Sequence, residues 1–325
     1  MRNLKIISVG VYLPTQYVKS EDLDQKCGLE KGTVEKTTKV KSRYYIENET
    51  NSFMAKKAIE DVLEKSKLTI NDIDCIIDAS GTFEQPIPSG GSLIAKELGI
   101  EEISTIDIDN TCIGFITALD LASCYFVANK YKRIIIVTSE IASVGLDYTH
   151  IQSASLFGDG ATATIVENDQ NSYVLGSVFK TYSKGTSFTE IRGGGAKMHP
   201  KYYGEDTLKD FSFQMNGEDV YKLTRKYAPK IQNQILEESK CTLENINCII
   251  PHQASPTGID LMSKFLKWEK QDVINIVKEY GNMISSSIPL ALHIAINENK
   301  VKRGDNIYFI GTAAGLIIGG LILKY

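Results

Sequence analysis

The sequence predicts an α/β protein built as two similar halves, and three observations carry that prediction. Val62-Leu-Glu-Lys-Ser-Lys-Leu-Thr-Ile-Asn-Asp-Ile-Asp-Cys-Ile-Ile77 returns as Ile235-Leu-Glu-Glu-Ser-Lys-Cys-Thr-Leu-Glu-Asn-Ile-Asn-Cys-Ile-Ile250, with Leu63, Glu64, Ser66, Lys67, Thr69, Ile73, Cys75, Ile76 and Ile77 repeated as identical residues. The same offset carries Arg133-Ile-Ile-Ile-Val-Thr-Ser139 onto Asn306-Ile-Tyr-Phe-Ile-Gly-Thr312. Stretches with helical spacing alternate with short apolar runs, the pattern of sheets covered by helices. A repeat this long is not a solenoid unit.

The elements follow in order. The N-terminal stretch to Pro14 has no small-residue cleavage site and reads better as a first strand than as a signal peptide. Phe53, Ala55, Ala58, Ile59, Val62 and Leu63 give Ser52 to Lys67 helical spacing, and Ile73 to Ala79 reads as the next strand. Ser89 to Leu98 reads as a helix with Ser89 as its cap. Ser104 to Asp109 alternates as a strand, Ile113 to Ala122 reads as a buried helix, and Arg133 to Ser139 as a buried strand and turn. The polar break Asn168-Asp-Gln-Asn-Ser172 divides the chain into 1–172 and 173–325. Lys180 to Phe211, with Gly193, Gly194 and Gly195, reads as an irregular insertion, either a functional lid or a plain surface excursion. Asn247 to Ile250 is a strand, and a helix starts near Ser286. A membrane span needs about 20 uncharged residues. The uncharged run Ile307 to Leu323 is at the short limit, and Gly311, Gly315, Gly319 and Gly320 make it two buried strands joined by a turn instead.

Composition narrows the class. The 325 residues are 42% hydrophobic and 23% charged, an ordinary globular balance. A net charge of -4 without a basic block gives no sign of a nucleic-acid partner. The six cysteines lie far apart without a C-x-x-C pair, which argues against a zinc ribbon and a disulfide scaffold. A reducing cytoplasm, with no metal and no membrane association, is the expectation.

Cys112 stands at the turn between a strand and an apolar helix, where helix N–H groups and the positive dipole end favour a thiolate nucleophile. A buried, inert cysteine is the plainer alternative. His252, in Pro-His-Gln-Ala-Ser, follows a strand in the second half, and Asn282, in Gly-Asn-Met-Ile-Ser-Ser-Ser, precedes a helix. Strand ends and their loops are where α/β sites form. Of the four histidines, His150 and His293 read as surface or packing residues and His199 lies in the insertion.

These motifs, in this order and spacing, resemble the β-ketoacyl synthase III family of thiolase-fold condensing enzymes. Ile7-Ser-Val-Gly-Val-Tyr-Leu-Pro14, Lys41-Ser-Arg43-Tyr-Tyr, Leu156-Phe-Gly-Asp-Gly-Ala-Thr-Ala163, Met215-Asn-Gly-Glu-Asp-Val-Tyr-Lys222, Pro251-His-Gln-Ala254 and Gly281-Asn282 carry the likeness over nearly the whole chain. The resemblance implies a five-layered α-β-α-β-α fold. It implies that Cys112 takes an acyl group from a thioester, and that His252 and Asn282 donate to the enolate formed when a malonyl-type thioester loses CO2. The backbone N–H groups of Cys112 and Ala314 would hold the thioester oxygen; Ala314 stands where the family usually has glycine. Ile87, Phe157, Ser285 and Gly315 are the implied pocket residues. Ile87 takes the place of an acyl-pocket gate reached across a dimer, with core packing as its plainer role. No tightly bound cofactor is implied. The acyl carriers are coenzyme A or the phosphopantetheine of acyl carrier protein, and the enzyme is expected to be a cytoplasmic homodimer.

The chain departs from the family pattern at the carrier-recognition positions. The only Trp is Trp268, and Thr33-Val-Glu-Lys-Thr-Thr-Lys-Val40 lacks the tryptophan that stacks a coenzyme A adenine. Ser255-Pro-Thr257-Gly258 replaces the usual Asn and nearby Arg, and Ile317-Ile318 replaces Thr-Trp. A carrier-bound donor, a different coenzyme pose, or a specialised branch making a secondary metabolite would each account for this. Three other functions compete: acyl transfer to a hydroxyl or amine without C–C bond formation, a silent partner subunit, and an unrelated cysteine hydrolase. The retained Cys112 and His252 oppose the second, and the internal repeat opposes the third.

Overall fold

A computed structural model describes residues 1–268 and 270–325. It contains two main sheets with the same strand order. In the first, Lys5–Tyr12, Gly160–Glu167, Arg133–Glu140, Cys75–Asp78 and Ser104–Asp107 lie side by side in that order. In the second the order is Tyr173–Thr181, Ile317–Lys324, Asn306–Ala313, Cys248–Pro251 and Asp272–Val273. In each sheet the last three strands run parallel and the first two pairings are antiparallel. The short strand Arg2–Asn3 crosses from the first half to pair with Tyr173 and Val174 at the edge of the second sheet.

Alternation along the strands assigns their faces. Ile76, Ile135 and Val137 point outward and pack on Met54, Ile59, Val62 and Ile94 of the helices Asn51–Ser66 and Gly90–Glu97. Ile249, Tyr308 and Ile310 point outward from the second sheet onto Ile231 and Ile235 of the helix Gly217–Ser239. Their neighbours Ile77, Ile136, Ile250 and Phe309 point inward, onto Phe115, Leu119, Leu290 and Ala291 of the helices Gly114–Val127 and Ser287–Asn297. The result is five layers, helix, sheet, paired helices, sheet, helix. Both halves share the central core, so most of each inner helix is buried, which is why both read as largely apolar.

The repeated residues do repeated local work. Lys67 and Lys240 end their helices in the left-handed conformation, at φ 57° and 54°. The Thr69 and Thr242 backbone N–H groups then donate to Asp72 and Asn245, each at 2.8 Å. Gly114 begins the inner helix because a Cβ there would collide with the Ala79 carbonyl.

Two details differ from the sequence reading. The Ser89 side chain does not cap its helix; Asp107 does so from the neighbouring strand, accepting from Gly90 and Gly91 N–H at 2.6 and 3.0 Å. A carboxylate outcompetes a hydroxyl for the positive helix end. The insertion is not wholly irregular: Thr189–Glu190 pairs with Gln214–Met215. Ile307 to Leu323 lies within the hairpin Asn306–Ala313 and Ile317–Lys324, and no helix among the described residues is long and apolar enough to cross a membrane.

Candidate active site

Cys112 occupies a single 3-10 turn, Thr111–Ile113, between an edge strand and the inner helix. The turn is held by Thr111 N–H on Asp109 Oδ1 at 3.0 Å and by Asn110 Nδ2 on Thr117 at 2.8 Å. Thr111 has φ +43°, a strained value for a β-branched residue. The sulfur faces two backbone N–H groups, its own and that of Ala314. The favourable helix end is opposed by the surroundings of the sulfur. Burial, and then the nearby Glu140 carboxylate, push the Cys112 thiol up to about 12. Two N–H groups aimed at one sulfur are instead placed for an oxygen that would appear beside it on acylation.

His252 follows the strand Cys248–Pro251, its backbone N–H on Ile310 O at 2.8 Å. The next residue, Gln253, locks the loop: its amide donates to Pro251 O and Ile274 O and accepts from Ile276 N–H, at 2.7, 3.0 and 2.8 Å. Burial lowers the imidazole pKa to about 4, so the ring is neutral at physiological pH. Its Nδ1 is buried and meets no partner among the described residues. A proton on Nε2 leaves Nδ1 a lone pair rather than a stranded donor, and makes Nε2–H the donor available to a ligand.

Asn282 is placed by the Phe-Gly-Asp-Gly segment. Its N–H donates to Leu156 O at 2.7 Å, and Gly158 N–H donates back to its carbonyl at 3.1 Å. Gly281, at φ +70°, lets the chains approach; a Cβ there would lie 2.8 Å from Leu156 O. Buried Asp159 anchors the same loop, accepting from Ala142, Ser143 and Ile46 N–H at 2.8, 2.9 and 3.0 Å. The Asn282 side-chain oxygen accepts Ile284 N–H at 2.9 Å, which leaves its NH2 as the free end.

Contacts between small residues bring these segments together. A Cβ on Gly311 would lie 2.6 Å from Ile113 and 2.9 Å from His252 Cβ, so this glycine lets the nucleophile turn and the histidine loop meet. A Cβ on Gly81 would lie 2.9 Å from Ile284, 3.3 Å from Thr111 and 3.5 Å from Glu140. Glu140 itself escaped the sequence reading. It is fully buried at the end of the strand Arg133–Glu140, and burial pushes its carboxyl up to about 7 against four hydrogen-bond donors. The signal was present: the repeat puts Ala313 at the equivalent place, so this acid is special to the first half.

The pocket candidates divide. Ile87 is 84% exposed, which removes core packing as its role. Phe157 is buried with its ring edge-on to Phe213, just past the insertion, at 4.8 Å. Ser285 is corrected: it has no exposed surface, and its hydroxyl is spent on Glu140 rather than facing open space. Gly315, at φ +80°, has nothing within 4 Å of where its Cβ would be. Of the departures, Trp268 is core, its Nε1–H on Gln232 at 2.6 Å, and Ser255 caps the helix Pro256–Phe265 by accepting Gly258 N–H. Where the tryptophan is missing there is a basic cleft of about 360 Å³ lined by Lys36, Lys39, Lys41, Lys278, Glu35 and Gly32.

Residues 106–183 match the family 3-Oxoacyl-[acyl-carrier-protein (ACP)] synthase III, and residues 236–325 match its C-terminal family. The beta-ketoacyl-[acyl-carrier-protein] synthase III of Neisseria gonorrhoeae is 32% identical over 100% of both chains. That of Aquifex aeolicus is 31% identical over 99% of both. The crystal structure of 3-oxoacyl-[acyl-carrier-protein] synthase III from Aquifex aeolicus superposes with a TM-score of 0.89, at 29% identity over 99% of this chain and 100% of that one. The priming beta-ketosynthase of the R1128 polyketide pathway shares the fold, with a TM-score of 0.90 at 24% identity over 99% and 96%. This chain therefore belongs to the β-ketoacyl-[acyl-carrier-protein] synthase III family, condensing enzymes of the acyltransferase class with the thiolase fold.

Proposed function

We propose that this enzyme carries an acyl group on Cys112 and condenses it with a malonyl-type thioester, with His252 and Asn282 as the enolate donors. The observation that carries the reading is the orientation of the Asn282 amide: Ile284 N–H holds its oxygen, so the NH2 is the end left for an anion. In the first step the Cys112 sulfur attacks the donor thioester carbonyl, its proton passes to the departing carrier thiol, and the N–H groups of Cys112 and Ala314 hold the oxyanion. In the second, the C–CO2 bond of the extender breaks, CO2 leaves, and the electron pair forms an enolate whose oxygen accepts from His252 Nε2–H and Asn282 Nδ2–H. The enolate carbon attacks the Cys112 thioester carbonyl, the C–S bond breaks, and the departing Cys112 thiolate takes a proton from solvent. Neutral donors suit this step, since neither must change charge.

The carriers are acyl carrier protein, coenzyme A, or both. The basic cleft supports a phosphate-bearing carrier: Lys278 lies just before Asn282, and Lys36, Lys39 and Lys41 sit where adenine stacking is lost. The reaction as written needs no bound cofactor. A cytoplasmic homodimer fits the reading, in which the exposed Ile87 would reach the acyl pocket of a second copy. The test is CO2 release from a malonyl-type thioester offered with an acyl donor. Stoichiometric CO2 and β-ketoacyl product support condensation. Acyl transfer to an added alcohol or amine without CO2 release refutes it.

A further inference from the structure

Glu140 is held by two segments distant in sequence. Oε1 accepts Gly81 N–H at 2.7 Å, Ser285 N–H at 3.2 Å and the Ser285 hydroxyl; Oε2 accepts the Thr82 hydroxyl at 2.8 Å. The backbone N–H groups can only donate, so the cage is built for an acceptor. Thr82 Oγ1 in turn accepts from Ile141 N–H at 3.0 Å and Asn51 Nδ2 at 3.1 Å, which commits its own proton to Glu140. Of the groups around this carboxylate, Gly81, Thr82, Ser285 and Cys112, only Cys112 titrates. No Lys or Arg pairs with it among the described residues.

A buried carboxylate without a cation is costly, and beside a nucleophilic sulfur its charge has the wrong sign for making thiolate. Its connections explain why it is there. Ser285 belongs to the second half and lies next to Ile284, whose φ is +48° and whose N–H holds the Asn282 oxygen. Gly81 touches both Ile284 and Thr111, the residue before Cys112. Glu140 thus ties the Asn282 loop to the loop of Gly81 and Thr82, which packs on the Cys112 turn.

Resting on the condensing role above, we propose that Glu140 is a positioning residue. Through the Gly81 loop it clamps the Asn282 segment to the Cys112 turn, so that the enolate donor stays aimed at the acyl group on the sulfur.

The test compares wild type, Glu140→Ala, Glu140→Gln and Ser285→Ala in two readouts: the thermal melt, and the ratio of condensation rate to Cys112 acylation rate. The ratio in Glu140→Ala should fall by about tenfold or more, because the Asn282 donor is no longer held. Glu140→Gln keeps one acceptor oxygen for Gly81 and Ser285, so its ratio should stay within about threefold of wild type. Ser285→Ala loses the hydroxyl and keeps the N–H contact, so its ratio should fall by a smaller factor than in Glu140→Ala. A Glu140→Ala ratio within about twofold of wild type overturns the proposal, since a purely structural role slows both half-reactions alike. If Glu140→Ala does not fold, an unchanged ratio in Ser285→Ala overturns it. A wild-type enzyme that takes no acyl group refutes the proposed function instead, so the two failures are distinct.

Discussion

The side-chain oxygen of Asn282 is fixed by the backbone N–H of Ile284 at 2.9 Å, and this one contact decides which end of the amide faces a substrate. Asn282→Asp keeps the shape and the Ile284 contact but replaces the donating NH2 with an anionic oxygen. Losing one such donor costs about 2.7–4 kcal/mol, or roughly 10²- to 10³-fold in rate. Condensation should fall by that much while acylation of Cys112 by the donor continues. Single-turnover rates for the two half-reactions check this, and equal losses in both would remove Asn282 from the enolate step.

His252 is neutral over the working range because burial brings its pKa down to about 4. The condensation rate should therefore show no limb near the ordinary histidine value of about 6.5. The linkage runs the same way. Between those two values the unfolded chain binds the proton and the folded one does not, so stability contributed at this site rises with pH across that window. A pH–rate profile with an inflection near 6.5 that disappears in His252→Gln would contradict the neutral-donor role.

Gly311→Ala places a methyl 2.6 Å from Ile113 and 2.9 Å from His252 Cβ. Overpacking of this kind costs about 1–3 kcal/mol, and here the displaced atoms include both sides of the site. Acylation and condensation should each fall tenfold or more, on the order of a 1 Å misplacement of a catalytic group. A thermal melt beside the rate assay separates the two effects; full activity in a folded variant would show that the glycine is not what brings the two loops together.

Asp78 supplies a test outside the chemistry. It is buried, and burial, aided by Asp107 and opposed by Ser80, raises its carboxyl from 3.8 to about 6. Between those values the folded state holds a proton that the unfolded state releases, so stability falls as pH rises through the window and the loss is complete above it. Asp78→Asn should stabilise the protein above that window by on the order of 1–3 kcal/mol and give no gain below it. Denaturant midpoints at two pH values decide the point.

Much of this arrangement is legible because the chain repeats. The matched segments are enough to place the central strands of both halves, and with them the loop that carries His252, while Cys112 follows the strand that alternation marks at Ser104 to Asp109. Alternation cannot by itself say which face of each strand meets the shared inner helices, but Ile76 and Ile77 take the two faces that alternation requires. What stays hidden in the sequence are interactions between residues distant along the chain. Asp107 takes the helix cap from Ser89, Glu140 takes the hydroxyl of Ser285, and burial, with the same acid, opposes the helix end at Cys112. Local pattern rules rank a helix end or a hydroxyl by its neighbours in sequence, whereas a buried carboxylate acts through neighbours in space.

The central claim is that Cys112 carries the acyl chain. Mass spectrometry of the intact protein after incubation with a panel of acyl thioesters tests it most directly, wild type beside Cys112→Ala. The account predicts a mass gain equal to one acyl group in wild type and none in the variant. An equal gain in both, or no gain in wild type with every donor, would contradict it.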